Sequence, residues 1–404
     1  MEPKIKIGDY NYNLPEEKIA KYPLERRDMS RLLIFKDGKI AEDKFLNLAN
    51  VLPPDSLMVF NNTKVVPARL FFRKPSGAVI EIFCLEPYSP TDYNLSFAAQ
   101  GTCEWSAVIG NAKRWKEGQV YFICNDDAHV KSLNLRAELV QKNQSQASVV
   151  RFIWDTDATF SQVLELCGRI PIPPYLNRDT ESIDTERYQT LYAKIKGSVA
   201  APTAGLHFTE RVLEQIDAKG IKRMNLCLHV GAGTFLPVKS EFISGHKMHT
   251  EPFSVSLDFL KQLYDSLENR KVIAVGTTSA RSLESLYYIG AHCLEHGDPA
   301  FVSQWEPYDK LRNCSAKEAV GALMEHMVKN GMDLFKARTS IIIVPTYAFK
   351  IVDILVTNFH QPQSTLLLLI SAFTGGENWK TIYEYALTHD FRFLSYGDSS
   401  VLFR

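Results

Sequence analysis

The chain has 404 residues, and its 46 Lys and Arg are matched by 46 Asp and Glu, so the formal net charge is zero. That balance excludes a uniformly basic nucleic-acid-coating protein and confines any RNA contact to local patches. Hydrophobic residues at 45% and charged residues at 23% exclude a disordered chain, and at roughly 100–200 residues per domain the length predicts two or three domains.

In chain order, the first feature is a basic cluster, Lys21, Arg26, Arg27 and Arg31, leading into a predicted strand over 31–35. Lys64, Arg69, Arg73 and Lys74 form a second cluster, and Lys113, Arg114 and Lys116 a third around Trp115. From 56 to 154 the chain reads as short strands (79–85, 105–109, 119–123, 133–140 and 148–154) punctuated by Gly77, Gly101, Gly110 and Gly118. Close spacing without a helical pattern predicts a small β-barrel or sandwich. Beyond 160 the rhythm changes. Thr209 caps a helix carrying Val212, Leu213 and Ile216 and closed by Gly220. A strand over 222–230, a helix over 257–269 and a buried strand over 272–275 follow, the last running through Gly276 into a helix to 283. Strands over 341–344 and 354–356 and helices over 365–373 and 379–387 complete the pattern. Alternation of this kind predicts an α/β layer. The expected architecture is a main α/β domain formed by both chain ends, 1–65 and 155–404, with a small β-barrel domain, 66–154, inserted.

Seven cysteines, an odd number with no C-x-x-C pair, suit reduced thiols in a cytoplasmic protein. The first residues lead into no signal-like apolar region, and the longest apolar run, around 366–370, is too short to span a bilayer.

Four strand-to-loop junctions are unusually polar. GSVAAPTAGLHFT over 197–209 contains Thr203 and ends near His207. HVGAGTF over 229–235 supplies His229, Gly231 and Gly233, but lacks the third glycine of a dinucleotide loop. Gly276, Thr277, Thr278 and Ser279 open a helix after a buried strand, an arrangement suited to an anion or a carboxylate. TNFH over 357–360 contributes Asn358 and His360. Ligands of open α/β sheets gather beyond the carboxyl ends of strands, so four such loops predict one composite site. His292, Glu295 and His296 match an H-x-x-E-H zinc pattern without an evident third ligand, and are read as a surface coincidence; His246 and His249 have ligand spacing too, but no metal site is expected. Walker A, G-x-S-x-G and kinase signatures are absent.

Taken together, YPLERRDMSRL (22–32), VFNNTKVVPARL (59–70), GRIPIPPY (168–175), ERYQT (186–190), the four junctions, HKMH (246–249) and YGD (396–398) are similar to the motifs of one family, in order and over nearly the whole chain. The chain resembles the S-adenosylmethionine:tRNA ribosyltransferase-isomerases of queuosine biosynthesis. The resemblance implies a β-barrel inserted in an α/β domain. It also implies transfer and isomerisation of the ribosyl moiety of S-adenosylmethionine onto 7-aminomethyl-7-deazaguanine at the wobble position of tRNA, giving epoxyqueuosine, adenine and methionine. S-adenosylmethionine is then a co-substrate, no cofactor is needed, and a monomer is expected. His207, His229 and His360 become candidates for proton transfer. Thr203, Gly231, Gly233, Thr277, Thr278, Ser279, Asn358, Asn62 and Asp398 become candidates for substrate binding. Arg26, Arg31, Lys64 and Arg69 become candidates for tRNA contacts, Phe208 or Phe235 for a face to the sulfonium, and Tyr175 for base stacking. The sequence departs from the family pattern at Asn62, usually Asp, at Lys64, usually Arg, over 340–347, and at Ser399 and Ser400. These departures keep two alternatives open: a diverged paralogue using S-adenosylmethionine on another acceptor, and a non-catalytic tRNA-binding protein.

Overall fold

The computed structural model describes residues 3–124, 127–143, 147–231, 238, 240–295, 297, 299–309 and 314–404. The strands in chain order are β1 (Arg31–Lys36), β2 (Lys39–Lys44), β3 (Leu57–Asn61), β4 (Thr63–Val65), β5 (Arg69–Arg73) and β6 (Val79–Ser89). They continue as β7 (Thr102–Gly110), β8 (Gln119–Phe122), β9 (Arg136–Gln141), β10 (Ser148–Ile153), β11 (Ile195–Ser198) and β12 (Lys222–Leu228). The last six are β13 (Glu251–Ser256), β14 (Val272–Val275), β15 (Phe301–Val302), β16 (Leu334–Thr339), β17 (Ile354–Asn358) and β18 (Ser399–Phe403). The principal helices are α1 (Tyr93–Ala98), α2 (Phe160–Cys167), α3 (Glu210–Ala218), α4 (Leu257–Ser266), α5 (Thr277–Leu294), α6 (Ala316–Lys329), α7 (Thr365–Thr374) and α8 (Asn378–Thr388).

Ten strands form one mixed sheet in the order β15-β16-β13-β12-β3-β14-β17-β18-β1-β2. Its centre, β12, β3, β14 and β17, is parallel. Every residue of β3, β14 and β17 is buried, so these strands carry continuous apolar runs rather than alternation. At the edge, β2 (KIAEDK) is charged and largely exposed, which discourages pairing with another chain. Helices α4, α5 and α6 pack on one face, contributing Phe259, Leu263, Leu283 and Leu323 to the main core. Helix α3, capped by Thr209, covers the other face through Val212 and Ile216.

Strands β5 to β10 close an antiparallel barrel in the order β10-β7-β6-β5-β8-β9, between the chain segments that build the sheet. Alternate residues fill it, including Phe72, Ile82, Trp105, Val150 and Phe152. Phe160 of α2 plugs one end, 5.4 Å from Trp105 and 5.2 Å from Phe152 between ring centres. The α/β layer with its inserted barrel is thus the architecture read from the sequence.

Three readings of the elements need correction. The run 341–344 is not a strand. It is buried, but its backbone is satisfied from elsewhere: the Tyr308 hydroxyl donates to the Ile342 carbonyl at 3.0 Å and accepts from the Val344 N–H at 2.9 Å. The ladder lies just before it in β16, whose alternating LFKART shows one face to β13's side of the core. The helix opened by Gly276 does not stop at 283 but runs to Leu294. Strand β13 and helix α6 are not among the expected elements, although Ser315 and Glu318 form a capping box ahead of Ala319, Val320, Leu323 and Met327 on the buried face of α6. Among the described residues, no helix is long and apolar enough to cross a membrane.

Candidate active site at the carboxyl edge of the sheet

Because β3, β12, β14 and β17 are parallel, Asn61, Leu228, Val275 and Asn358 end at one edge. Strand β18 runs antiparallel to β17, with Ser399 opposite Asn358, so the segment before it reaches the same edge. Strand β1 is parallel to β18, with Leu32 opposite Ser399, and this brings the 26–30 segment there too. Sheet direction alone therefore collects the loops that follow β3, β12, β14 and β17 and precede β1 and β18.

They surround a narrow cleft whose room for water-sized spheres is about 90 Å3. Tyr175, Thr203, Gly276, Thr277, Thr278, Asn358, His360 and Ser395 are on its walls. Gly276 has φ +87°, a region that favours glycine, and its N–H bonds the Val356 carbonyl at 2.8 Å. The turn delivers the start of the 18-residue α5 to the cleft. First-turn N–H groups of a helix have no intrahelical acceptor, and the helix dipole favours negative charge there. The Thr278 Oγ1 is buried without a hydrogen-bond partner, as is the Ser279 Oγ one residue deeper.

Asn358 organises the opposite wall. Its Nδ2 donates to the Leu394 carbonyl at 3.1 Å, which fixes the amide orientation, and also to His207 Nε2 at 3.1 Å. Nε2 is therefore the acceptor nitrogen, leaving Nδ1–H of His207 to donate to Ser30 Oγ at 2.8 Å. Asn358 Oδ1 is left buried without a partner. Burial, reinforced by the nearby Arg392 and Arg27 charges, pushes the His207 pKa down to about 3. Burial likewise holds His360 at about 4; its Nε2 lies 3.0 Å from Thr357 Oγ1, and its backbone is pinned by the Tyr12 and Tyr383 hydroxyls. Both imidazoles are neutral at physiological pH.

Other expected site residues lie elsewhere. His229 is not on the cleft wall; it stacks on Tyr93 of the barrel insertion (4.6 Å between rings, 27°), with Nδ1 3.1 Å from Thr63 Oγ1 and its pKa pushed by burial to about 4. Ser279 and Gly231 do not line the cleft, and Gly233 and Phe235 fall outside the described residues. Nor does Asn62: its backbone is held by Leu226 and Lys194, and its Oδ1 is buried without a partner. Asp398 spends both oxygens on the chain, accepting from the N–H groups of Arg31 (3.0 Å) and Arg392 (2.8 Å) and pairing with the Arg392 guanidinium (3.2 Å). Phe208 is a core residue, wedged 4.9 Å from Phe45 and 5.1 Å from Phe60. Tyr175 does line the cleft, its hydroxyl 2.5 Å from Ser395 Oγ.

Of the four basic candidates, Arg31 is paired with Glu42 and sits over the Phe391 ring, and Arg69 is 3.1 Å from Glu81. Arg26 is exposed, 3.7 Å from Asp28, and Lys64 is exposed on β4. His292 of the zinc-like pattern bonds Glu306 at 2.5 Å, and His296 lies outside the described residues. Among the described residues no three metal-ligating side chains cluster. His249 faces Glu251 Oε1 at 3.0 Å, and Glu251 in turn pairs with Arg281 at 2.6 Å. Ser30 and Ser395 are not among the sequence candidates; for the buried Glu284 the available signal was charge inside an otherwise buried helix.

A family model described as "Queuosine biosynthesis protein" matches residues 7–402. The S-adenosylmethionine:tRNA ribosyltransferase-isomerase of Halothermothrix orenii is 38% identical over 98% of this chain and 100% of its own length. The protein of the same name from Trichlorobacter lovleyi is 37% identical over 98% and 99%, and that from Dichelobacter nodosus 36% over 100% and 97%. The crystal structure of the S-adenosylmethionine tRNA ribosyltransferase from Thermotoga maritima aligns over 98% of this chain and 99% of that one, with 25% identity and a TM-score of 0.47. With a family model spanning almost every residue and full-length relatives well above 30% identity, the chain belongs to the queuosine biosynthesis protein family.

Proposed function

We propose that the chain is an S-adenosylmethionine:tRNA ribosyltransferase-isomerase that places the ribosyl moiety on 7-aminomethyl-7-deazaguanine at the tRNA wobble position, releasing adenine and methionine and leaving epoxyqueuosine. The observation that carries this reading is the full-length likeness to relatives bearing that name. The chemistry follows from the sulfonium. Positive sulfur acidifies the ribose 5′ carbon, and a base removes a proton there. The electron pair left behind opens the ring and expels adenine. The aminomethyl nitrogen then bonds to the sugar, and methionine departs as the epoxide closes.

The cleft supplies groups for these steps. The first turn of α5 and the Thr278 hydroxyl suit the methionine carboxylate. Asn358 Oδ1 offers a buried acceptor to an N–H or O–H of the substrate. His360, neutral and on the wall, is the candidate base; His207 acts through Asn358 as a positioning residue. Tyr175, on the cleft wall, is the candidate to stack on the extruded base.

The test is to incubate the protein with S-adenosylmethionine and tRNA bearing 7-aminomethyl-7-deazaguanine, then follow adenine release and epoxyqueuosine by mass spectrometry. Epoxyqueuosine with stoichiometric adenine is expected. Adenine without epoxyqueuosine moves the reading to another acceptor, and neither product from folded protein overturns it.

A further inference from the structure

Beside the cleft lies a smaller, open depression with room for water-sized spheres of about 20 Å3, lined by Arg27, Arg187, Arg392, Ser30 and His207, with Ser395 shared between the two. His207 is bonded to Asn358 of the cleft wall, so a single layer of side chains separates the two spaces. No acidic side chain lines the depression.

The arginines differ in how their charge is met. Arg392 is paired with Asp398. Arg27 Nη1 donates to the Gln189 carbonyl at 3.1 Å and Arg187 Nη2 to the Leu24 carbonyl, both neutral acceptors. Neither guanidinium forms an ion pair among the described residues, and Arg187 Nε is buried without a hydrogen-bond partner. Burial, then repulsion from Arg187, lowers the Arg27 pKa, only partly offset by the exposed Glu186 carboxylate, which does not line the depression. Two like charges held together in partly buried positions are unfavourable unless an anion joins them. The planar guanidinium fork matches phosphate oxygens, and phosphate contacts set the register of a nucleic-acid strand.

We propose that Arg27 and Arg187 form an oxyanion site for a backbone phosphate of the tRNA strand next to the nucleotide held in the cleft. This rests on the reading of the cleft as the place where that nucleotide reacts. It shifts the phosphate contact from Arg31 and Arg69, whose charges the chain itself neutralises, to the pair it leaves open.

The test uses the full chain with Arg27→Gln, Arg187→Gln and Arg27→Lys. Binding of tRNA bearing 7-aminomethyl-7-deazaguanine is measured across a salt series, and S-adenosylmethionine binding by calorimetry. Each Gln variant is expected to bind tRNA about tenfold more weakly at low salt, with the log–log salt slope reduced by about 0.7–0.9, one phosphate's share. Arg27→Lys should recover most of the slope, and S-adenosylmethionine affinity should hold within about twofold. Unchanged tRNA affinity and slope overturn the site. A selective loss of S-adenosylmethionine affinity overturns it in favour of a carboxylate pocket. Should one Gln variant lose its circular-dichroism melt, the other decides through its slope. Failure of the functional reading looks different: wild-type protein releases no adenine while the arginine dependence of tRNA binding persists.

Discussion

Two buried polar clusters in this molecule make opposite use of similar groups. Around Asp184 every charge is answered: Arg178 bonds both carboxylate oxygens (2.8 and 2.7 Å), the Glu181 N–H and the Tyr396 hydroxyl add two more bonds, and the Arg178 guanidinium lies 4.3 Å from the Tyr22 ring. At the cleft, Thr278 Oγ1 and Asn358 Oδ1 are as deeply buried yet have no partner. A buried polar atom left open costs about 1–3 kcal/mol, which a ligand bonding Thr278 Oγ1 and Asn358 Oδ1 would recover. The saturated cluster ties the N-terminal 20s segment to the short helix Ser182–Arg187 and the chain end; the unsaturated one is the proposed binding site.

Acid should expose the difference most strongly. Burial lowers His207, His229 and His360 to about 3, 4 and 4, below the ordinary value of 6.5. The unfolded chain therefore binds protons the fold refuses, and stability present above about pH 6.5 is lost as pH falls toward these lowered values. At up to about 1.4 kcal/mol per pH unit per group, the two imidazoles at the cleft, His207 and His360, together lose on the order of 5 kcal/mol between pH 6.5 and 4.5. In the saturated cluster, burial would raise the Asp184 carboxyl, but the Arg178 hydrogen bonds, the Glu181 N–H and the Tyr396 hydroxyl hold it below the usual range. Its contribution survives to lower pH. Urea unfolding at pH 7, 6 and 5 checks this, and a flat stability over that span breaks the contrast.

Asp184→Ala removes the answer to a buried guanidinium and should cost about 3–5 kcal/mol in urea unfolding. A loss under 1 kcal/mol would show that the cluster is not structural. Asn358→Ala removes both the open acceptor and the donor that sets the His207 tautomer; kcat for adenine release should fall about 100-fold, with a smaller change in unfolding free energy. The smallest effect is expected at Thr278→Val. Deleting a hydroxyl that has no partner should leave the unliganded protein within about 0.5 kcal/mol of wild type, while S-adenosylmethionine affinity drops about tenfold. If Thr278→Val instead destabilises the protein and leaves affinity alone, the hydroxyl belongs with the saturated cluster.

Much of the molecule was legible in advance because its signals are local. Turn residues at short spacing marked the barrel strands, Thr209 marked the start of α3, and the run 272–275 followed by Gly276 marked the strand and turn that open α5. The short apolar run 341–344 misled, since apolarity reports burial and not ladder pairing, and side chains such as Tyr308 can satisfy a backbone in place of a strand. Among the site candidates, sequence placed Thr203, Thr277, Thr278, Asn358 and His360 in polar loops, and all five meet at the cleft. It had no means of separating His229 from His360, or Arg27 from Arg26.

By itself the sequence determined the family, the α/β-plus-barrel architecture and the loops in which function concentrates, because motif order and periodicity are properties of the linear chain. Only the tertiary structure decided which polar groups are already satisfied. The separation of 151 positions from His207 to Asn358, and the distance in the chain from His229 to the Tyr93 ring that covers it, are bridged by sheet direction and packing. Whether an imidazole, a hydroxyl or a guanidinium is free to meet a substrate depends on neighbours that are remote in the chain.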